Sequence, residues 1–173
     1  VHRRRAKKAP TATPRVRTPP ATPVAPGRWL AGHHFSGAQQ MQYWLYLPQG
    51  EAPAGGWPLV LMLHGCHQTA TQFAQGTRMN MMAEKKGYAV LYPQQSVTVH
   101  AQRCWRWFDR STQAGGGDVQ PVAAILARVL SQYPIDRRRV YVCGISAGAG
   151  MANTMALNFP DVFAAVGLHS GPV

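Results

Sequence analysis

Residues 139–150 read RVYVCGISAGAG, and the reading of this stretch decides the fold. Val140, Tyr141, Val142 and Cys143 form a short β-prone apolar run, Gly144-Ile145-Ser146-Ala147-Gly148 follows at once, and residues 151–157 (MANTMAL) are helix-compatible. A G-x-S-x-G pentapeptide between a strand and a helix is a nucleophile elbow, in which the serine occupies a strained turn that lifts its hydroxyl above the C-terminal edge of a parallel sheet. Gly144 and Gly148 stand where strand and helix approach too closely for a side chain, and Ser146 bears the backbone strain. The plainer alternative, a serine in an ordinary strand-to-helix loop, is disfavoured by the apolar run before it and the helix after it.

Outward from the elbow, residues 58–63 (PLVLML) form a continuous apolar run ending in His64-Gly65, as a strand buried on both faces does. Residues 39–48 alternate, with Met41, Tyr43, Leu45 and Leu47 on one side; residues 88–92 (YAVLY) read as a strand closed by Pro93, and residues 163–168 (FAAVGL) as a last one. One helix is predicted over 71–86, carrying Phe73, Met79, Met82 and Ala83 on one side and stopped by Gly87. Another is predicted from its N-cap Asp118 through Val122, Ile125, Leu126, Val129 and Leu130 to Tyr133-Pro134. Between them, residues 94–117 form a long irregular stretch, and loops of that length in a compact domain tend to be functional. Strands alternating with helices predict an α/β fold with a mainly parallel sheet, flanking helices and a ligand site beyond the C-terminal strand ends.

The chain has 173 residues, enough for one domain with a real core. Its charge is lopsided: residues 1–28 hold eight Lys or Arg and no acid, so they carry +8 of the formal +12 and leave the remainder at only +4. That segment is rich in Pro, Thr and Ala with no hydrophobic period and is predicted to be a disordered basic tail or linker. A solvated tether is favoured over a nucleic-acid arm because no aromatic residue is available for stacking, so no nucleic-acid partner is expected. No apolar run is long enough to span a bilayer, and prolines and threonines follow the basic residues where a signal peptide would have its apolar core. The chain begins with valine, which suggests a fragment, a processed form or an alternative start. Of the three cysteines, Cys143 reads as a small core residue. Cys66 and Cys104 flank candidate site loops; with the compartment illegible, a disulfide and two free thiols both stay open.

His64-Gly65-Cys66-His67-Gln68 ends the apolar run at 58–63. Acyl transfer generates an oxyanion that two aimed backbone N–H groups stabilise, one from the residue after the nucleophile and one from the loop after an earlier strand. Ala147 and Cys66 occupy those positions. A metal cluster at His64, Cys66 and His67 is the alternative, disfavoured because no fourth ligand is at hand and the spacing matches no common zinc pattern.

On these residues, and on RCWRWF (103–108), GGGDVQ (115–120), YVCGISAGAGMA (141–152) and FAAVGLHSG (163–171), the chain resembles the secreted polyhydroxybutyrate depolymerase-like esterases of the α/β-hydrolase superfamily. That group also includes feruloyl and acetylxylan esterases, and the resemblance covers residues 39–173. It implies an α/β-hydrolase domain at 29–173, ester hydrolysis through a Ser-Asp-His triad, no metal or organic cofactor, and an extracellular or periplasmic location. It implies Ser146 as nucleophile, Cys66 and Ala147 as oxyanion amides, and a substrate groove near His64, Trp105 and Trp107. For the two tryptophans, pinning the long loop onto the sheet is an equally good reading. The expected partner is an ester: a polyester, an oligomer or an aryl or acyl ester.

The departure concerns the triad. In this superfamily the acid and the histidine follow the serine, yet after Ser146 there are only Asp161, placed as a solvated turn residue, and His169, read as a loop-packing histidine. The catalytic Asp and His are therefore expected in a C-terminal portion beyond Val173. The FAAVGL strand is expected to be an uncovered sheet edge. A non-catalytic polymer- or carbohydrate-binding protein using the tryptophan loop is the alternative function.

Overall fold

The structure, a computed structural model, describes residues 25–37 and 39–172. The predicted disordered tail thus lies, up to residue 24, outside the described residues. Among the described residues six strands form one mixed sheet: β1 (Arg28–Ser36), β2 (Gln39–Leu47), β3 (Trp57–Leu63), β4 (Ala89–Gln94), β5 (Ile135–Ile145) and β6 (Ala165–His169), in the order β1-β2-β4-β3-β5-β6. β1 and β2 pair antiparallel, as do β2 and β4; β4, β3, β5 and β6 run parallel. Among the described residues five helices connect them: α1 (Ala70–Thr77), α2 (Met79–Lys86), α3 (Arg110–Gln113), α4 (Val119–Gln132) and α5 (Ala147–Asn158).

The continuous apolar strands are buried on both faces, as their composition requires. Leu59, Leu61, Leu63, Leu91, Val140 and Val142 face α4 and α5, where Val122, Ile125, Val129, Met151 and Met155 close one core. Met62, Val90 and Tyr92 face the other way onto Phe73, Ala74 and Ala83 of α1 and α2. The result is a three-layer α/β/α sandwich with the elbow on an interior strand, between β3 and β6. Among the described residues no helix is long and apolar enough to cross a membrane.

The structure departs from the reading of the sequence in four places, the first being α3, a short helix inside the stretch 94–117 expected to be irregular. β1 was not predicted, and Arg28, assigned to the tail, is its first residue. Its side chains are exposed or only half-buried, so RWLAGHHFS carries little of the alternation that marks a strand packed on a core. The single helix expected over 71–86 is two helices, because Arg78 adopts φ 53°, ψ 26°. α1 opens on a capping box at Thr69 and Gln72, whereas Arg78 supplies α2 with no side-chain cap. A left-handed arginine carries a Cβ penalty that glycine does not. Arg78→Gly is therefore expected to raise the unfolding free energy by about 0.5–1 kcal/mol, read by urea titration, and a loss of stability would mean that the arginine side chain secures the break. Asp118, finally, precedes α4 but caps nothing: its φ −69°, ψ −18° is helical and its carboxylate makes no capping bond.

β6 is a sheet edge, with Val166 43% and Leu168 52% exposed. Its burial pattern is exposed throughout, in keeping with the expected uncovered edge.

Candidate active site

Ser146 sits between β5 and α5 at φ 56°, ψ −123°, a combination that costs an L-residue strain and that the surrounding contacts must enforce. Two close approaches enforce it. A Cβ on Gly144 would lie 2.2 Å from the carbonyl oxygen of Gly148, and a Cβ on Gly148 would lie 2.0 Å from the oxygen of Leu63 and 2.5 Å from that of His64. α5 is thereby seated directly on the end of β3. The Ser146 N–H donates to the His169 carbonyl at 3.0 Å, tying the turn to β6. The side chain of Ser146 is exposed, and its hydroxyl hydrogen-bonds no other described residue.

The loop after β3 lies against this turn: a Cβ on Gly65 would come 3.5 Å from that of Ser146. Cys66 follows, bonded to Cys104 with the Cα atoms 4.3 Å apart, which settles the open cysteine question and leaves Cys143 the free thiol. Burial pushes the Cys143 thiol up to about 11, as befits the core residue expected. Among the described residues neither the Cys66 N–H nor the Ala147 N–H meets an acceptor, while the neighbouring His67 N–H donates to Gln102 and the Gly65 N–H to Gln68. Two unpaired amides thus flank an exposed hydroxyl on a strained turn.

His64 lies elsewhere than the groove the resemblance implied. It is fully buried, with Nδ1 2.8 Å from the Gly65 carbonyl and Nε2 3.1 Å from the Gln95 N–H. A carbonyl can only accept and an N–H can only donate, so the ring is the neutral Nδ1–H tautomer. The same bond orients the loop after β3. In a trans peptide the C=O and the following N–H point in opposite directions, so holding the Gly65 oxygen toward the ring turns the Cys66 N–H away from it. Burial, helped by the charge of Arg103 and opposed by the Gly65 bond, lowers the His64 pKa to about 4.

That shift fixes a sign. The unfolded chain takes up a proton near pH 6.5 that the folded chain refuses until about pH 4, so stability is complete above about 6.5 and declines as the pH falls toward 4. The decline attributable to His64 is on the order of 3 kcal/mol. His64→Asn, which keeps a donor near Nδ1 and does not titrate, is expected to be less stable at neutral pH yet flatter between pH 6.5 and 4. Equal slopes in urea titrations of the two proteins would remove His64 as the cause.

Trp105 is also fully buried, and its Nε1–H donates to the His64 carbonyl at 3.0 Å; it pins the long loop and does not line a groove. Trp107 is half-buried against the first turns of α5, where a Cβ on Gly150 would come 2.7 Å from its ring. Asp118, expected as a cap, holds this loop instead. Its buried carboxylate accepts from Gln95 Nε2 at 2.6 Å, from the Arg106 N–H at 2.8 Å and from Arg106 Nη2 at 2.9 Å. Gln95 and Arg106 were not singled out from the sequence, although RCWRWF and GGGDVQ enclose two members of the network. Asp161 is exposed beyond α5, and the exposed His169 places Nδ1 3.0 Å from the Ser170 hydroxyl. Neither side chain engages Ser146.

Residues 41–173 match the family model described as Esterase PHB depolymerase. A probable acetylxylan esterase A of Aspergillus fumigatus is 36% identical over 74% of this chain and 34% of its own. A poly(3-hydroxybutyrate) depolymerase of Ralstonia pickettii is 34% identical over 88% of this chain and 34% of its own. Among solved structures, an acetyl xylan esterase from Aspergillus awamori superposes with a TM-score of 0.68 at 28% identity, over 76% of this chain and 47% of that one. The chain spans about a third of the length of these two sequence relatives. With the elbow, the loop after β3 and the α/β sandwich all in place, the chain belongs to the Esterase PHB depolymerase family.

Proposed function

We propose that this chain carries the nucleophile and the oxyanion site of a serine carboxylic ester hydrolase. The observation that carries the reading is Ser146, exposed at φ 56°, ψ −123° beside two unpaired amides. Its Oγ adds to the ester carbonyl, the carbonyl oxygen takes up negative charge between the Cys66 and Ala147 N–H groups, and collapse expels the alcohol to leave an acyl-serine. Water then adds to that acyl group and releases the acid. The attack requires an imidazole to accept the serine proton and a carboxylate to hold the imidazole. None of the described residues fills either role, since His169 is turned to Ser170.

The Cys66–Cys104 disulfide supports an oxidising compartment, so we place the protein outside the cytoplasm. The ester relatives support an ester substrate, and the chemistry above needs no metal or organic cofactor. The alternative of a non-catalytic binding protein leaned on the tryptophan loop, and of its two tryptophans Trp105 is buried and Trp107 is half-buried against α5. The test is a fluorophosphonate reaction with the product of the whole reading frame containing this sequence, followed by peptide mapping. Labelling on Ser146 is expected, with turnover of p-nitrophenyl butyrate lost in proportion. Turnover that survives complete labelling, or no labelling at all, overturns the reading.

A further inference from the structure

Three hydrogen bonds hold the His64-Gly65 peptide, from which the Cys66 N–H is presented. The His64 Nδ1–H donates to the Gly65 carbonyl at 2.8 Å, the Gln95 N–H to His64 Nε2 at 3.1 Å, and the Trp105 Nε1–H to the His64 carbonyl at 3.0 Å. That carbonyl also abuts α5, since a Cβ on Gly148 would come 2.5 Å from its oxygen, so the loop after β3 and the first turn of α5 are set against each other there. The two outside donors, Gln95 and Trp105, lie in no strand or helix and have no ladder of their own to fix them.

One buried carboxylate fixes both. Asp118 Oδ2 accepts from the Gln95 carboxamide at 2.6 Å and from the Arg106 N–H, one residue after Trp105, at 2.8 Å. Its other oxygen accepts only from the Arg106 guanidinium, at 2.9 and 3.3 Å. Asp118 stands at the head of α4, whose Val122, Ile125 and Val129 are packed in the core, so a residue seated on a core helix joins the two loop segments that hold His64. A buried ion pair contributes little net stability against apolar side chains of the same volume, and so does not by itself account for the carboxylate. An oxygen that two donors share does something else: it sets their separation.

We infer that Asp118 is a positioning residue for ester hydrolysis: through Gln95 and Trp105 it holds the His64-Gly65 peptide in the orientation that aims the Cys66 N–H at the oxyanion. The inference rests on the hydrolase reading and assigns the positioning to one oxygen. Oδ2 joins Gln95 to the tryptophan loop, whereas Oδ1 only anchors the Arg106 guanidinium, which is 32% exposed and also lies 3.8 Å from Asp109. An asparagine with its carbonyl in the place of Oδ2 keeps the first two bonds and loses the ion pair; an alanine loses all of them. A displaced Cys66 N–H is felt where charge develops on the carbonyl oxygen, so the loss falls on kcat and leaves KM nearly alone.

The product of the whole reading frame containing this sequence is assayed with p-nitrophenyl butyrate and labelled with fluorophosphonate, under conditions where the urea curve of each variant shows it fully folded. Asp118→Ala is expected to lower kcat about 10- to 100-fold with KM within about threefold of native, and to slow labelling of Ser146 in step. Gln95→Met, which keeps the side-chain length and removes the bond to Oδ2, should show the same split, and it decides the matter if Asp118→Ala does not fold. Asp118→Asn and Arg106→Ala should lose stability with the ion pair yet keep kcat within about threefold of native. A merely structural role predicts a different order, with kcat falling in proportion to the stability lost in every variant. The inference is overturned by that proportionality, by a loss carried in KM, or by native kcat in both Asp118→Ala and Gln95→Met. A native protein that neither turns over the ester nor labels fails the hydrolase reading itself and takes this inference with it.

Discussion

Ser146→Ala is expected to abolish fluorophosphonate labelling and to lower ester turnover by at least about 10⁴-fold, while the folded state is retained. The loss follows from the proposed covalent step, in which the Ser146 hydroxyl, exposed on the strained turn, is the attacking group. The fold should survive because the Ser146 side chain is exposed and its hydroxyl bonds to no described residue, so nothing buried is left unpaired. Alanine retains the Cβ and with it the backbone strain at φ 56°. Ser146→Gly removes both, and should be equally inactive but more stable than Ser146→Ala by about 1 kcal/mol, since strain at a functional turn is held by its neighbours and relieved when the Cβ goes. Labelling, turnover and urea titration on the three proteins check this together. Turnover within tenfold of the native protein in Ser146→Ala would remove the serine from the mechanism, and a glycine variant less stable than the alanine variant would remove the strain.

The difference between what the sequence disclosed and what it concealed follows the kind of interaction involved. The elbow, the buried strands β3, β4 and β5, and helix α4 were legible because burial on a regular element leaves a period or an uninterrupted apolar run. β1 left no such trace, since its side chains pack on little and its backbone pairs with β2 whatever the side chains are. The break at Arg78 was hidden because arginine is a good helix former and nothing in its residue type announces the left-handed conformation in which it ends α1. In the site, residue types gave position but not partner. Asp118 was placed correctly at the head of α4, yet its carboxylate serves Arg106 and Gln95. His64 was placed at the right loop but assigned to the groove, and for Trp105 a groove position and a loop-pinning one stood equal, because polar and aromatic residues near a site suggest ligand contact. Their hydrogen bonds to Gly65, Gln95 and each other face inward, and only the three-dimensional arrangement reveals that.

Gly148→Ala is expected to destabilise the protein by about 3 kcal/mol or more, or to prevent folding, whereas Gly76→Ala is expected to stabilise it by about 0.5–1 kcal/mol. Composition does not separate these two helical glycines; contact geometry does. At Gly148 the new methyl would meet the Leu63 oxygen at 2.0 Å, the His64 oxygen at 2.5 Å and the Leu63 carbonyl carbon at 2.6 Å. All three are backbone atoms of a buried strand end, so no side-chain rotation relieves the clash and α5 must lift from β3. At Gly76, inside α1, nothing lies within 4 Å, and alanine only reduces the freedom of the unfolded chain and improves helix propensity. The lift at Gly148 has a second effect, because the same contact sets the spacing between the Ser146 turn and the loop that carries the Cys66 N–H. Any Gly148→Ala protein that folds should therefore label slowly with fluorophosphonate even under conditions where it is fully native, while Gly76→Ala labels at the native rate. Urea midpoints and labelling rates on both variants check the pair. A Gly148→Ala protein with native midpoint and native labelling would mean that α5 is not clamped to β3, and would take away the structural reason for a glycine after Ala147.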